Sequence, residues 1–272
     1  MPDSRASAVA TRLLAAFDQG AQLTPPSRDW PEMTLAEGYA VAADIHARRI
    51  SRGDRVAGRK IGFTNRKIWD IYNVHAPVWG WMYQNSTRHI PNDRRVTLPA
   101  LPECRIEPEI AFHFIETPNA AMTDTRLAAC IDRIAHGFEV VWSAYPGWQF
   151  TAPDSVAAFA MHASFAYGPP QAAAPFLAHG GHPLANLKIT LTGPSSTLKG
   201  SGEDVLGGPL QALRRLIAET EAMPGAAPIG AGEWITTGTL TDARPVFAGD
   251  RWQTHLEGVD LPDLDVTFAA TP

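Results

Sequence analysis

Two glutamates at alternate positions of one stretch offer the clearest chemistry in the sequence. In RIEPEIAFHF, at 105–114, Glu107 and Glu109 are separated by a single residue. Side chains at i and i+2 of a strand share one face and lie about 6.6 Å apart, so both carboxylates can bind one hard cation. If that face is buried, their charges need a cation or protons, because like charges in a low dielectric disfavour joint ionisation. A strand face open to water has the same spacing, so both interpretations stay open at this point.

A third carboxylate and a lysine extend this candidate site. Glu139 lies in a β-like run, FEVVW at 138–142, that can return beside the first strand. Lys60 stands between the glycines of VAGRKIGFTN at 56–65. A lysine among apolar residues commonly extends its ammonium to water. The functional alternative is a cation directed at a substrate carboxylate or a developing enolate.

Two helices precede the strands that must position these residues. Apolar residues at helical spacing predict a helix over 7–19. Thr34 and Glu37 form a T-x-x-E capping box, which predicts a second helix that ends near Gly53. We expect residues 1–95 to form a small N-terminal helical or α/β cap.

The remainder, 96–272, is rich in strand and turn signals, and we expect it to form the catalytic domain around the metal site. Thr123 as an N-cap and Gly137 as a stop predict a helix over 123–136. Pro209, in the first turn of an apolar-periodic segment, predicts another helix. The pattern favours a predominantly β architecture with peripheral helices.

Composition excludes several classes of function. The 272 residues carry a net charge of −5 with no basic run, so a nucleic-acid partner is not expected. Cys104 and Cys130 are the two cysteines, too few for a disulfide scaffold or a cysteine-based zinc site. No apolar run approaches the roughly 18 residues that a membrane span needs. These features predict a cytoplasmic protein that acts on a small molecule, without a membrane partner.

An aromatic-rich segment at 68–83, IWDIYNVHAPVWGWMY, is a candidate ligand-binding region. Its tryptophans, Trp79 among them, can line an apolar pocket, and they fit core packing or a subunit contact equally well. The glycine-rich KGSGEDVLGGPL at 199–210 matches neither a P-loop nor a dinucleotide-binding fingerprint. A phosphate-binding function is therefore not expected.

An ordered set of motifs resembles the fumarylacetoacetate hydrolase superfamily, most closely its 2-keto-4-pentenoate hydratase and 4-oxalocrotonate decarboxylase branch. The motifs are GRKIGFTN at 58–65, RIEPEIAF at 105–112, FEVV at 138–141, VLGGPL at 205–210, and WITTGTL with AGDRW near the end of the chain. The resemblance implies an α+β fold in which a mixed β-roll with peripheral helices follows a small N-terminal cap. It also implies a homo-oligomer.

The resemblance assigns roles to the residues of the candidate site. Glu107, Glu109 and Glu139 match the acidic triad that holds Mg²⁺ or Mn²⁺ in that family. Lys60 matches the family's motif lysine, which implies a position near the enolate of a bound 2-oxo acid. Thr237, in the TTG segment, is a candidate donor to the substrate carboxylate, although a β-branched residue is also ordinary in a strand.

Departures from the branch pattern bear on the reaction. Val78 stands where hydratases carry an aspartate, and it cannot transfer a proton, which favours decarboxylation. Trp142 and Ala144 stand where the branch usually has Asp and Arg. His162 and Ser164, in MHAS, stand near an Asp-Asn-Ala-Ser motif. His162 is a candidate catalytic residue or a packing residue, and Ser164, like Trp79, is a candidate for substrate binding.

The sequence therefore predicts a divalent-metal-dependent lyase that acts on a short unsaturated 2-oxo acid, of the 2-keto-4-pentenoate hydratase type. Three alternatives stay open. Two are enzymatic: decarboxylation of an oxalocrotonate-like 2-oxo diacid and hydrolysis of a C–C bond in an acylpyruvate. The third is a non-catalytic, metal-binding partner subunit that has kept the glutamates and lost its acid/base groups.

Overall fold

The computed structural model describes residues 4–223 and 226–271 as a mixed α+β fold. Within these ranges the α-helices are α1 Ser4–Gln19, α2 Leu35–Ser51, α3 Trp69–Tyr72, α4 Asp124–Ala129, α5 Ala152–Ala157, α6 Ala174–Asn186 and α7 Pro209–Ala222. The helices at 7–19, after the capping box and after Pro209 are confirmed. At the capping box, Thr34 and Glu37 each accept a hydrogen bond from the other's backbone N–H.

The strands form two curled sheets. In chain order they are β1 Val56–Gly62, β2 Val78–Tyr83, β3 Thr87–His89, β4 Arg95–Leu98, β5 Arg105–Phe114, β6 Ile131–Val141, β7 His162–Tyr167, β8 Gln171–Ala172, β9 Lys188–Thr192, β10 Thr197–Ser201, β11 Trp234–Thr239, β12 Arg244–Pro245, β13 Arg251–Glu257 and β14 Asp265–Ala270. The larger sheet has the order β2-β1-β11-β5-β6-β7-β3, with β12 beside β5 and β8 beside β6. The smaller sheet has the order β10-β9-β13-β14-β4.

Strand β5 lies at the centre of the larger sheet. It pairs antiparallel with β6 on one side and with β11 on the other, and β1 pairs parallel with β11. Because side chains alternate along a strand, the glutamate face of β5 lies inside the roll and the opposite face packs outward. Phe112 and Phe114 of that opposite face pack with Leu213 and Leu216 of α7. Ile106 packs with the second sheet in another core cluster. Two layers therefore hold β5 in place.

One predicted helix is wrong in most of its length. Thr123 caps α4 as expected, but that helix ends at Ala129 and β6 begins at Ile131. The run IDRIAHGFEVV pairs residue by residue with β5, which satisfies its backbone groups without helical hydrogen bonds. Short apolar segments fit the periodicities of both a helix and a strand. Here the pairing with β5 makes the segment a strand. The return to Glu139 is therefore made by one long strand.

The proposed division at residue 95 stays a prediction. The larger sheet contains β1 and β2 from before that point and β5, β6 and β11 from after it. Helices α1 and α2 cover one end of the sheet, where Leu13 and Val41 pack in the cluster that holds Trp142. Among the described residues, no helix has the length and apolar character that a membrane span requires.

Candidate metal centre

The three predicted metal ligands converge on one point inside the roll. Glu107 lies directly opposite Glu139 across the β5–β6 ladder, and Glu109 follows Glu107 on the same face. One carboxylate oxygen from each residue lies within 4.8 Å of the other two. Cross-strand register and period-two alternation are sufficient to produce this grouping.

Burial makes the three negative charges costly. Glu109 and Glu139 have no exposed surface, and Glu107 is half-buried. The pKa of Glu107 is raised to about 7, chiefly by burial and in part by the charge of Glu109, against the opposing effect of Lys60. The pKa of Glu139 also rises to about 7 through burial. Burial and the charge of Glu139 raise the pKa of Glu109 well above its usual value. A cation among them would offset these costs.

Lys60 supplies one positive charge beside this cluster. Its Nζ lies 3.6 Å from Glu139 Oε2, and the residue is buried. Burial opposes the ammonium charge, but the three glutamates outweigh it, so the pKa of Lys60 is above its ordinary value. Gly62, two residues along the same strand face, leaves room for this ammonium, since a Cβ there would lie 2.8 Å from Lys60 Nζ.

His162 contacts the far side of Glu139. Its Nδ1 lies 2.8 Å from Glu139 Oε1, and its Nε2 lies 3.4 Å from Ser86 Oγ. Burial, Lys60 and Arg49 hold the pKa of His162 well below its usual range, so the ring is neutral. Because a carboxylate oxygen only accepts, a neutral ring donates through Nδ1–H, and we assign the tautomer on that basis. The contact orients Glu139 from outside the cluster, as supporting residues of a metal site do.

Gly238 orients Glu109 with a backbone donor. Its N–H donates to Glu109 Oε2 at 2.6 Å, at a point where the β11–β5 register shifts between Thr236 and Thr239. The φ angle of Gly238 is +101°, and a Cβ there would lie 1.8 Å from Thr64 Oγ1. Glycine alone meets both conditions. The alternation of side chains along a strand does not predict the role of Gly238, because a bulge breaks that alternation. A glycine within a strand pattern is nevertheless a signal of a bulge.

The residues present fit a hard divalent cation. Among the described residues, Glu109 Oε1 and Glu139 Oε2 are buried and have no hydrogen-bond partner. Unpaired buried carboxylate oxygens are costly, and three carboxylates are the donor type that Mg²⁺ and Mn²⁺ prefer. Lys60 offsets one of the three negative charges, and a divalent cation bound by these oxygens would offset the other two.

A cavity of about 240 Å³ opens onto this cluster. Lys60 and Glu107 line its inner part, and Phe63, Val141 and Met161 supply apolar wall. Arg105, Trp148 and Arg244 also line it. None of these three was predicted from the sequence to be a site residue. For Arg105 the signal was available, because it precedes Glu107 by two residues on the same strand.

Three other predicted site residues lie away from this cavity. The Thr237 hydroxyl donates to Ile110 O at 2.9 Å. Ser164 lines a separate cavity, which residues of β3 and β4 also line. Trp79 is buried, with its ring packed against Tyr39 and Trp81. None of the three is among the residues that line the cavity beside the glutamates.

Apolar packing occupies the positions where the branch carries polar groups. Val78 belongs to a small buried cluster with Val74, Val156 and Ala160. Trp142 is fully buried, with its ring against Phe17 at 5.7 Å. Ala144 is also fully buried. No side chain at these three positions can donate or accept a proton at a substrate.

Comparisons with known proteins agree with this geometry. No protein-family model matches the chain. The chain is 29% identical over 270 residues to a 2-hydroxyhexa-2,4-dienoate hydratase of Comamonas testosteroni, an alignment that covers 94% of this chain and 95% of the relative. It is also 29% identical over 267 residues to a 2-keto-4-pentenoate hydratase of Paraburkholderia xenovorans strain LB400, covering 95% and 93%.

Solved structures extend the likeness to the fold. A 4-oxalocrotonate decarboxylase from Pseudomonas putida G7, crystallised with magnesium and adipate, superposes with a TM-score of 0.86 at 25% identity over 97% of both chains. A yeast fumarylacetoacetate hydrolase family protein superposes with a TM-score of 0.53 at 12% identity, over 79% of this chain and 93% of that one, and shows the shared fold alone. The expected α+β roll is confirmed, and a divalent metal is supported by the glutamate cluster and by the magnesium in the decarboxylase structure.

Proposed function

We propose that this chain is a metal-dependent lyase that acts on a short unsaturated 2-oxo acid. The premise is that it belongs to the 2-keto-4-pentenoate hydratase and 4-oxalocrotonate decarboxylase branch of the fumarylacetoacetate hydrolase superfamily. One observation carries the proposal. Three buried carboxylates lie within 4.8 Å of one another, beside a buried lysine, at the inner end of a cavity. The addition of water to the unsaturated chain is the reaction that the hydratase relatives favour.

Glu107, Glu109 and Glu139 would hold the cation, and Gly238 and His162 would keep two of these ligands in place. When bound, a divalent cation supplies Lewis acidity toward the oxygens of a 2-oxo acid. The ammonium of Lys60 stabilises negative charge that develops on the substrate as its enolate forms. The apolar wall of the cavity excludes water and thereby strengthens these charge interactions.

Decarboxylation of a 2-oxo diacid is the second candidate, and Val78 favours it. Val78 is buried among aliphatic side chains. Because valine has no ionisable group, it cannot act as an acid or base in the addition of water. Loss of CO₂ needs stabilisation of the resulting enolate more than it needs a second proton-transfer group. Lys60, together with a cation held by the glutamate cluster, would provide that stabilisation without help from Val78.

Calorimetry with Mn²⁺ tests the metal site separately from the reaction. We expect one Mn²⁺ per chain, and we expect binding to be lost in Glu107→Ala and in Glu109→Ala. Glu257→Ala is the matched control, because Glu257 is an exposed carboxylate on the second sheet. If both cluster variants bind Mn²⁺ as the wild type does, the three glutamates are not the metal site.

Two substrates then distinguish the reactions. Metal-loaded protein is incubated with 2-hydroxypenta-2,4-dienoate and, separately, with 2-oxohex-3-enedioate, while absorbance and CO₂ release are followed. Loss of dienoate absorbance without CO₂ indicates hydration, and CO₂ release from the diacid indicates decarboxylation. Mn²⁺ binding without turnover of either substrate would contradict the lyase proposal and favour a non-catalytic partner subunit.

The family resemblance also supports three finer proposals. We propose that Mg²⁺ or Mn²⁺ is the cation in use, that the protein is a homo-oligomer, and that it works in the cytoplasm. Light scattering on purified protein tests the second of these, and a monomer at micromolar concentration would contradict it.

A further inference from the structure

The addition of water to an unsaturated chain needs a group that takes a proton from the water and returns one to carbon. The buried side chain of Val78 cannot supply that group. The described residues that line the cavity include five with a charged side chain: Lys60, Arg105, Glu107, Asp242 and Arg244. The arginines keep their protons, the glutamates hold Lys60 in its charged form, and Glu107 belongs to the candidate metal site. The carboxylate that is left is that of Asp242.

The sheet pairing places Asp242 beside the glutamate pair of β5. Asp242 lies in the connection between β11 and β12, and both of these strands pair with β5. Strand β11 ends opposite Glu109, and β12 begins opposite Ile106. Between these two points, the N–H of Leu240 donates to Pro108 O at 2.8 Å. The connection therefore runs alongside the stretch of β5 that carries the candidate metal ligands.

Hydroxyl groups of this connection hold its backbone in place. Thr239 Oγ1 donates to Thr241 O at 2.7 Å, and Thr241 Oγ1 donates to Asp242 O at 3.3 Å. Gly200 of β10 packs against the same segment so closely that a Cβ there would lie 1.8 Å from Leu240 O. A catalytic group needs such support, because small misplacements of it are costly.

The carboxylate of Asp242 is free to accept a proton. Its Oδ2 lies 3.8 Å from Arg244 Nη2, which makes an ion pair but exceeds hydrogen-bond distance. Within the described part of the chain, no donor forms a hydrogen bond to either carboxylate oxygen. The Asp242 side chain is 62% exposed, so water reaches it from the mouth of the cavity. A carboxylate with open lone pairs beside incoming water can act as a general base.

We propose that Asp242 is the general base and general acid for the addition of water in this chain. The proposal rests on the proposed function in its hydratase form. It gives the proton transfer to a residue on the β11–β12 connection instead of to position 78.

The proton transfers balance for a 2-oxo-3-enoate, the keto tautomer that a 2-hydroxy-2,4-dienoate forms when its hydroxyl loses a proton and C5 gains one. The water oxygen forms a bond to C4, and the electron pair of the C3=C4 bond moves to give an enolate over C2 and C3. Asp242 takes the proton that the water releases, and the ammonium of Lys60 stabilises the enolate. Asp242 then returns its proton to C3 as the C2 carbonyl re-forms, which yields a 4-hydroxy-2-oxo acid and the original carboxylate.

The first test is the hydration of 2-hydroxypenta-2,4-dienoate by Mg²⁺-loaded protein. We expect Asp242→Asn to lower kcat by about 10²–10⁴-fold, the usual effect of losing a general acid–base group. KM should stay within about threefold, because Asp242 moves a proton and does not hold the substrate. Asp242→Glu should recover at least about tenfold of the lost kcat. Asp260→Asn is the matched control, since Asp260 is exposed between β13 and β14 and does not line the cavity.

The second test isolates the transfer at C3. The saturated acid 2-oxopentanoate cannot be hydrated, but a base beside it exchanges its C3 hydrogens for deuterium in D₂O. We expect Mg²⁺-loaded wild type to catalyse this exchange, followed by proton NMR, and Asp242→Asn to slow it by at least about 100-fold. Calorimetry should show Mn²⁺ affinity within about twofold of the wild type, as a residue with a purely structural role at the metal site would not allow.

The outcomes separate this proposal from the proposed function. Wild-type rates of hydration and exchange in Asp242→Asn would overturn the role of Asp242 and leave the lyase intact. Loss of Mn²⁺ binding together with turnover in that variant would assign Asp242 a structural role instead. A wild type that releases CO₂ from 2-oxohex-3-enedioate but does not hydrate the dienoate would also overturn the role of Asp242. A metal-loaded wild type that converts neither substrate would overturn the proposed function itself.

Discussion

Lys60 retains its positive charge although it is buried, because three glutamates surround its ammonium. We expect Lys60→Met to lower turnover of the preferred substrate on the order of 10²–10³-fold, the usual effect of removing one charge-stabilising group. Mn²⁺ affinity should stay the same or increase, because a competing cation leaves the cluster. Steady-state kinetics and calorimetry measure the two effects. Lys199→Met is the control, since Lys199 is exposed on β10. Full turnover in Lys60→Met would remove this residue from the mechanism.

Gly62 lies beside the same ammonium and limits where its tip can be. A methyl group there would lie 2.8 Å from Lys60 Nζ, so Gly62→Ala must displace the tip of that side chain. We expect a loss of turnover of about 10- to 100-fold, because small misplacements of a catalytic group are costly. The free energy of unfolding should change by less than about 1 kcal/mol, since the clash is with the end of a flexible chain.

A double-mutant cycle checks this explanation. If Gly62→Ala acts only through Lys60, it should reduce the residual turnover of Lys60→Met by less than about twofold, because coupled residues are not additive. A full additional loss in that background would show that Gly62 acts in another way.

At the scale of single residues, the sequence predicted which charged residues come together better than it predicted where each side chain points. Glu107, Glu109, Glu139 and Lys60 converge as their strand positions and the family resemblance implied. Thr237, by contrast, directs its hydroxyl to Ile110 O rather than into the cavity. The bulge between Thr236 and Thr239 changes which residues face inward, and such a register shift follows from the pairing of β11 with β5. That pairing is not readable from β11 alone.

At the scale of secondary-structure elements, the bulge of β11 brings a backbone N–H to the candidate metal site. Gly238 is the residue at which this bulge presents an N–H to Glu109. We expect Gly238→Ala to lower the free energy of unfolding by at least about 1–3 kcal/mol, because its φ of +101° is strained for alanine. The clash with Thr64 adds to this cost. Mn²⁺ affinity should fall about 10- to 100-fold, as for the loss of a group that orients a metal ligand.

Gly249→Ala is the matched control for this prediction. Its φ is +96°, close to that of Gly238, and a Cβ there meets nothing within 4 Å. The two variants therefore share the backbone strain, and only Gly238→Ala should weaken Mn²⁺ binding in the calorimeter. Equal Mn²⁺ affinity in both would mean that the Gly238 N–H does not support the site.

The secondary structure of β6 could not be predicted from its own sequence. The segment after Thr123 carries apolar residues that suit a helix, and its first turn does form one. From Ile131 onward, pairing with β5 and β7 determines its structure, and both partners are distant in sequence. Helices with local signals, such as the capping box at Thr34 and the proline at 209, were predictable because their end signals are local.

The whole molecule concentrates negative charge where the sheet is most deeply buried. Burial raises the pKa values of Glu109 and Glu139. The metal-free protein must therefore either protonate these carboxylates on folding or keep their repelling negative charges close together. Because a raised folded-state pKa means that the native chain binds more protons, metal-free stability should fall as pH rises from about 4.5 to about 7. A bound cation removes this dependence by taking the place of the protons.

Mn²⁺ should therefore stabilise the fold as a whole, and more strongly at higher pH. At 100 times the dissociation constant, a ligand adds about 2.7 kcal/mol to the free energy of unfolding. Since 1 kcal/mol shifts the Tm of a large domain by about 2–4 °C, the expected rise in Tm is several degrees. Differential scanning calorimetry with EDTA or with Mn²⁺ measures this rise at about pH 5.5 and about pH 7.5, and it should be larger at the higher pH, where fewer protons must be displaced.

Glu109→Gln should change the Tm in opposite directions, relative to the wild type, without and with Mn²⁺. It removes one of the clustered buried charges and keeps an oxygen that can accept the Gly238 N–H, so its metal-free Tm should equal or exceed that of the wild type. Mn²⁺ should then produce little further rise, because a ligand charge is missing. An equal Mn²⁺ increment in wild type and Glu109→Gln would show that the cation stabilises the molecule from another place. We expect the order of the two Tm values to reverse on addition of Mn²⁺, because the buried charge of Glu109 should destabilise the metal-free protein and should bind the cation when it is added.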